Sequence, residues 1–330
     1  MKEEVSIRLI SHITDLPDIA SNNFFHSKDF FRILEATPMQ EPCMAVAENS
    51  HGHIIAHMLT IIFFHRSILP PAIYSHGRVY GEGVYATTIN NVDKEYIFGR
   101  FLEAVTSRFS HHLCFYIEFS SLSKKMFGYE TFKKNGYFPI QWQEIHNSLH
   151  SVHPEERVSE KIRQRIIESS NKGVTAKLVK NDGEELRQSV NLLRSFFRFK
   201  MRRSIPSTEM FKQLVYSDVG RLIVTKYKKR VIGTCLCIFT HNNAYIWYMA
   251  SLRKTYLAYH PATYTIWSAL KMANIEGMRH MYFLDAGLPF KHSSLRDFIL
   301  RFGGKPVSTY RWFRTPIPWL NKALDWIYNE

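Results

Sequence analysis

Residues 261–285 read PATYTIWSALKMANIEGMRHMYFLD: a proline-led helix of about four turns running to Glu276, a polar break, and a buried strand at Met281–Asp285. Proline suits the first helical position because an N–H there has no acceptor within the helix. Working back along the chain, apolar alternation predicts strands at Ala244–Ala250, Val231–Phe239 and Arg221–Lys226, behind a helix at Glu184–Arg198. Adjacent strands, then a helical crossover into a further strand, define a mixed α/β sheet.

The first half repeats this order. A strand at Val5–Ile10, a helix at Lys28–Ala36, strands at Met44–Glu48 and Ile54–Phe64 and strand signals up to Tyr80 precede a helix at Lys94–Ser110 and a strand at Cys114–Phe119. Lys94 and Pro261 open the long helices, Cys114 and His280 precede the buried strands, and Phe132…Gly136 matches Phe298…Gly303 at a separation of about 166 residues. The chain therefore reads as a duplicated β-α-β-β-β-α-β-α-β unit. The expected domains are 1–148 and 149–330, joined by a polar linker at His146–Glu160 that leads into a basic helix at Lys161–Ser170.

That order resembles the GNAT acyltransferase fold. Two stretches resemble the Fem-type peptidoglycan-bridge aminoacyltransferases and related acetyltransferase-like proteins, which carry two such domains in tandem. One is Phe132-Lys133-Lys134-Asn135-Gly136-Tyr137-Phe138, followed by Lys161-Ile162-Arg163-Gln164-Arg165-Ile166 and Lys172-Gly173-Val174. The other runs from Asn274-Ile275-Glu276-Gly277-Met278 through Tyr282-Phe283-Leu284-Asp285 and Leu295-Arg296-Asp297-Phe298 to Phe302-Gly303-Gly304-Lys305-Pro306-Val307. The resemblance implies two tandem acyl-CoA N-acyltransferase-like domains, and transfer of an acyl or aminoacyl group to an amine of a cell-envelope or nucleotide-sugar precursor. It also implies acyl-CoA or aminoacyl-tRNA as a co-substrate, with no tightly bound cofactor. The Fem-type Phe-Lys-x-x-Phe-Gly pattern here reads Phe298-Ile299-Leu300-Arg301-Phe302-Gly303, so the charge-stabilising lysine is replaced by Ile299. Arg296, Arg301 and Lys305 are the cations nearby. One alternative is an aminoacyl-tRNA-dependent peptidoglycan-bridge transferase; the other is a catalytically inactive module binding a phosphorylated or nucleic-acid partner.

Forty-three Lys and Arg against 29 Asp and Glu give a net charge of +14, which favours anionic partners: phosphates, tRNA, or a lipid-linked acceptor at a membrane surface. Met1-Lys2-Glu3-Glu4 leads into no apolar signal region, and the longest apolar run, Ile54 to Phe64, is interrupted by His57. The reading predicts a cytoplasmic protein without a transmembrane span. Cys43, Cys114, Cys235 and Cys237 lack zinc spacing and read as reduced core thiols; no metal site is expected, His51, His53, His57 and His111-His112 having no partners at ligand spacing. Gly-x-Ser-x-Gly and Gly-Lys-Ser/Thr motifs are missing, which argues against serine hydrolases and P-loop NTPases.

In GNAT folds the strand before the long helix and the strand after it part, and the family's donor sits between them. By that resemblance the gap lies between Trp247–Ala250 and Phe283–Asp285 in the second domain, with the acceptor in the cleft between domains. Candidate catalytic residues are Asp285, His260 and Tyr248, to orient or deprotonate the amine or to donate to a carbonyl. Trp247, Met249, Arg253, Lys254 and Tyr264 are donor-side candidates; Arg253 and Lys254 read equally as a solvated loop. The loop before Pro261 lacks the glycine signature that lets backbone amides reach a diphosphate. Arg78-Val79-Tyr80-Gly81-Glu82-Gly83 has that signature in the first half, but stands too far ahead of the Lys94 helix to use its dipole; it reads as a hairpin turn or an acceptor contact, with donor binding as the other option. Arg78, Glu82, Arg202, Arg203 and Lys305 are the acceptor-side candidates. Pro316 to Tyr328 reads as a short amphipathic helix packed on the second domain, with interfacial membrane contact as the other option.

Overall fold

The computed structural model describes residues 5–66, 73–197, 205–284, 286–289 and 292–329. In chain order the elements are β1 (Ser6–Ile10), α1 (Lys28–Glu35), β2 (Gln40–Glu48), β3 (Ile54–Arg66), β4 (Ile73–Tyr80), β5 (Val84–Tyr85), α2 (Asn91–His111), β6 (Ile117–Ser120), α3 (Tyr129–Lys134), β7 (Phe138–Ser148), α4 (Pro154–Arg157) and α5 (Glu160–Asn171). There follow β8 (Val174–Val179), α6 (Glu184–Phe197), α7 (Thr208–Tyr216), β9 (Gly220–Tyr227), β10 (Arg230–Thr240), β11 (Asn243–Ser251), α8 (Pro261–Ile275), β12 (His280–Phe283), α9 (Ser294–Leu300), β13 (Lys305–Arg314) and α10 (Pro318–Asn329).

These elements form two compact units, Met1–Trp142 with Ser308–Glu330, and Gln143–Val307. The chain is thus divided at 142/143 and 307/308, where the sequence reading divides it at 148/149. The physical reason is that β7 and β13 each begin in one unit and end in the other. The tail helix α10 falls in the N-terminal unit, where Lys133 donates to Asp325 at 2.7 Å, which corrects its expected packing on the second domain. The expected linker also changes, since residues 146–148 complete β7 and Pro154–Arg157 form α4.

In the N-terminal unit the strand order is β1-β2-β3-β4-β6-β13; only β4 and β6 run parallel, and the other pairs are antiparallel. Helix α2 begins at Asn91, three residues before the expected Lys94, because the Asn90 side chain caps it by accepting the Asp93 N–H at 2.9 Å. Its buried face, Ile97, Phe98, Phe101, Leu102, Val105 and Phe109, packs on the sheet. Each fully buried side chain of this size contributes about 1.5–3 kcal/mol. His57 is inside that sheet, with its pKa pushed down by burial to about 4, whereas His51 and His53 stand in the exposed turn before β3.

In the C-terminal unit the order is β8-β9-β10-β11-β12, continued by residues 143–148 of β7, and here β11 and β12 are the parallel pair. Ile266, Trp267, Ala269, Leu270 and Ala273 of α8 pack over this sheet. Gly233 lets the helix approach β10 closely: a Cβ there would stand 2.1 Å from Thr265 Oγ1, which already pairs with Thr225 Oγ1 at 2.7 Å. All four cysteines are free and buried, with Cys235 and Cys237 on one face of β10 at 3.5 Å between sulfurs.

Candidate active site

Strands β11 and β12 pair for four residues, from Asn243 opposite His280 to Ile246 opposite Phe283, and among the described residues they then part. Beyond that point β11 stays with β10, where Tyr248, Met249, Ala250 and Ser251 face Leu236, Cys235, Thr234 and Gly233. The chain leaving β12 follows β7 instead: Ala286 donates to the Gln143 carbonyl at 3.2 Å, and Gln143 donates to the Gly287 carbonyl at 2.9 Å. A bulge marks the branch point. Register slips between Leu236 and Cys237, making Trp247 the extra residue on β11, and such an insertion bends the strand that carries it.

The ladder also fixes which backbone groups line the gap. Leu252 donates its N–H to the Ile232 carbonyl at 2.8 Å, so by antiparallel alternation Ala250 and Tyr248 also direct N–H and C=O towards β10. Met249 and Ser251 direct theirs into the gap. Such amides can hold a carbonyl oxygen on which negative charge develops, with no charged side chain involved.

The equivalent strands of the N-terminal unit are closed. β4 and β6 pair from Gly77 opposite Ile117 to Tyr80 opposite Ser120, and the Gly81 N–H continues the ladder to the Ser120 carbonyl at 2.7 Å. Gly81-Glu82-Gly83 is then the turn into β5, with Gly83 at a φ of +100°, where a Cβ would stand 2.8 Å from the His57 carbonyl oxygen. Its glycines serve that turn, and α2 begins only at Asn91. Arg78 forms an ion pair with Glu118, donates to Ser120 Oγ at 3.1 Å and lies over the Tyr80 ring. Glu82 accepts the Ser123 N–H at 2.9 Å.

In the C-terminal unit, Trp247, Tyr248 and Met249 lie on β11 beside the gap. The first two are buried, and the Tyr248 ring lies against Phe211 and Trp247. Arg253 and Lys254 are exposed in the turn after β11. Tyr264 is half-buried in the first turn of α8 and donates its N–H to the His260 carbonyl at 3.1 Å. Lys305 is exposed at the start of β13. Arg202, Arg203 and Asp285 lie outside the described residues. Ile299, in place of the family's lysine, is buried in the core, and half-buried Arg296 donates to the Leu288 carbonyl at 2.9 Å.

The loop entering α8 is braced by α5. Lys172 and Ser169 donate to the Ala258 and Tyr259 carbonyls at 2.8 and 3.0 Å, and His260 Nε2 stands 3.1 Å from the Glu168 carboxylate. His260 occupies the N-cap with φ +41° and Pro261 follows, so the helix start presents neither a glycine nest nor a side-chain cap. Its positive end already has an acidic neighbour in Glu168, an arrangement that disfavours a diphosphate there.

Sequence reasoning missed a polar row on the same sheet. Tyr245, Tyr282 and His146 stand opposite one another on β11, β12 and β7, one register step before the parting. Tyr245 and Tyr282 stack with centroids 5.1 Å apart, and His146 meets Tyr282 edge-on at 4.4 Å. His146 Nε2 lies 3.0 Å from the buried Glu144 carboxylate. Burial, with Tyr282 and Glu144 adding to it, pushes the Tyr245 phenol up to about 12, and burial with Glu144 raises Tyr282. The signal was the alternation along 142–148, obscured by its polar composition.

Among the described residues no group of three His, Cys, Asp or Glu side chains is placed to hold a metal ion, and no helix is long and apolar enough to cross a membrane.

Residues 157–292 match the acetyltransferase (GNAT) domain family model. Among solved structures the chain is similar to FemX (TM-score 0.59, 11% identity, 93% of this chain and 95% of that one). It is also similar to the C-terminal domain of a putative lysylphosphatidylglycerol synthetase from Agrobacterium fabrum (0.58, 12%, 92% and 91%). A third is a tandem GNAT protein from the clavulanic acid biosynthesis pathway (0.57, 11%, 94% and 98%). No curated protein sequence matches the chain significantly. The fold is GNAT, in tandem.

Proposed function

We propose that the chain is an N-acyltransferase whose C-terminal unit holds the carbonyl of an acyl donor against β11 and passes the acyl group to an amine on a cell-envelope or nucleotide-sugar precursor. The observation that carries this reading is the parting of β11 from β12 after Ile246 and Phe283, with the backbone of Met249 and Ser251 turned into the opening. Trp247 and Met249 flank the acyl group, Tyr264, Arg253 and Lys254 stand on the donor side of the loop, and Lys305 serves the acceptor. Tyr248 and His260, with Asp285, remain the sequence-derived candidates for chemistry, and Arg202 and Arg203 those for acceptor phosphates.

Glu168 beside His260 favours an aminoacyl ester over a coenzyme A thioester, because a coenzyme A diphosphate at the start of α8 would meet that carboxylate. The net charge of +14 suits an aminoacyl-tRNA donor. A lipid-linked acceptor suits α10, whose Trp319 and Trp326 are 69% and 63% exposed.

The test is a transfer assay on the full chain, with a panel of aminoacyl-tRNAs and acyl-CoAs and an amine acceptor, read by mass spectrometry of the amide. An amide that forms from aminoacyl-tRNA and is abolished by ribonuclease is expected. Salt-dependent RNA retention with no amide from any donor would overturn the enzymatic reading in favour of a binding module.

A further inference from the structure

We propose that His146, held by Glu144, is the group that takes the proton from the acceptor amine. The inference rests on the acyltransfer reading above and adds the proton's route. Along β7, Glu144 and His146 alternate with the core residues Ile145 and Asn147, so both stand on the sheet face away from α8. On that face His146 lies in the row of Tyr282 and Tyr245, the last complete row before β11 and β12 part, and Glu144 is one step nearer the parting. The pair is therefore at the closed end of the gap, where a donor carbonyl lying along Met249 would present its carbon.

The pair has the chemistry for the task. An ionised carboxylate only accepts hydrogen bonds, so the 3.0 Å contact puts the imidazole proton on Nε2 and leaves the lone pair on Nδ1. Glu144 has 7% of its side chain exposed and His146 29%, a buried orienting group behind a reachable base. The amine nitrogen forms the C–N bond, and its proton passes to His146 Nδ1. The C–O or C–S bond of the donor breaks, and the imidazolium returns that proton to the leaving alkoxide or thiolate, giving an amide and an alcohol or thiol. Glu144 is a positioning residue that stabilises the imidazolium between the two transfers. Tyr245 and Tyr282, kept protonated by burial, are donors beside it.

Among the described residues the groups facing His146 are Glu144 on β7, Tyr282 and His280 on β12 and Tyr245 on β11, with His150 and Arg279 beyond His280. Removing the Glu144 charge withdraws the one anion among them. The experiment is steady-state amide formation by the full chain with an aminoacyl-tRNA and with an acyl-CoA, comparing His146→Ala, His146→Gln and Glu144→Gln with the parent protein and checking fold by circular dichroism. Both His146 variants are expected to lose about 10²-fold or more in kcat with KM held, and His146→Ala to regain part of it in added imidazole. Glu144→Gln, which keeps the shape but not the charge that steadies the imidazolium, is expected to lower kcat with KM held. A parent that transfers while both folded His146 variants stay within threefold overturns this proposal and leaves the acyltransfer reading standing. A parent inactive with every donor overturns that reading, and this proposal with it.

Discussion

Replacing Met249 by proline leaves the C-terminal unit folded and lowers donor-dependent turnover by about 10²-fold, the size expected on losing one oxyanion-type donor; Ala250→Pro, one residue on, unfolds it. The two positions are adjacent on β11 and differ in direction. The Met249 N–H faces the gap, so proline there breaks no ladder bond, as at a strand edge. The Ala250 N–H faces Thr234, and proline would both remove that bond and leave a buried carbonyl unpaired, at about 1–3 kcal/mol before any clash of the ring. Thermal melts and donor-dependent turnover of the two variants make the comparison. Equal loss of fold in both would mean that β11 has partners on both sides throughout.

The second large effect concerns the N-terminal unit. Glu118 stands directly opposite Arg78 on the parallel strands β6 and β4, and also accepts from Arg311 Nη1 at 3.1 Å; the Arg311 guanidinium in turn lies 4.0 Å from the Trp142 ring centroid. This ion pair bridges the two strands whose counterparts part in the C-terminal unit. Glu118→Leu takes the carboxylate from two guanidinium groups that are largely out of water, and a loss of about 3–5 kcal/mol in unfolding free energy is expected. Replacing all three, as Arg78→Met, Glu118→Leu and Arg311→Met, is expected to recover most of it, because the desolvation cost goes with the charges. Denaturant titration checks both. A loss under about 1 kcal/mol for the single change would mean that the pair behaves as a surface salt bridge.

Much of the fold was legible because periodicity and spacing reflect burial. Pro261, the apolar face of α8 and the strand after it were readable, and so was their repeat in α2 and β6. The division of the chain was not, since β7 and β13 each continue from one unit into the other and local sequence carries no mark of where contacts regroup. Residues 146–148 looked like linker because His146, Asn147 and Ser148 are polar, although Asn147 is buried, with its side chain donating to the Phe302 carbonyl at 3.0 Å. Helix α7 was missed altogether. At the site, a gap between Trp247–Ala250 and Phe283–Asp285 was expected from family resemblance; β11 and β12 pair through Ile246 and Phe283, so Phe283 still belongs to the ladder, and Asp285 lies outside the described residues. Glu144 and His146 are only two residues apart, but their place beside the site was not readable because it depends on β7 pairing with β12, a contact between residues more than a hundred positions apart. The glycines at 81 and 83 carry the letters of a diphosphate loop, but their distance from the next helix already favoured a turn or an acceptor contact, and they serve a tight turn against His57.

The central claim is that the backbone of β11 beyond Trp247 is open to a donor, and backbone amide exchange reads it directly. In the free protein the Met249 and Ser251 amides should exchange rapidly while Tyr248 and Ala250, bonded to β10, stay protected. Adding an amide-linked aminoacyl-adenosine or a thioether acyl-pantetheine should slow exchange at Met249 and Ser251 by about tenfold or more, with Tyr248 and Ala250 unchanged. Four amides equally protected in the free protein, or no change with either probe, would contradict it.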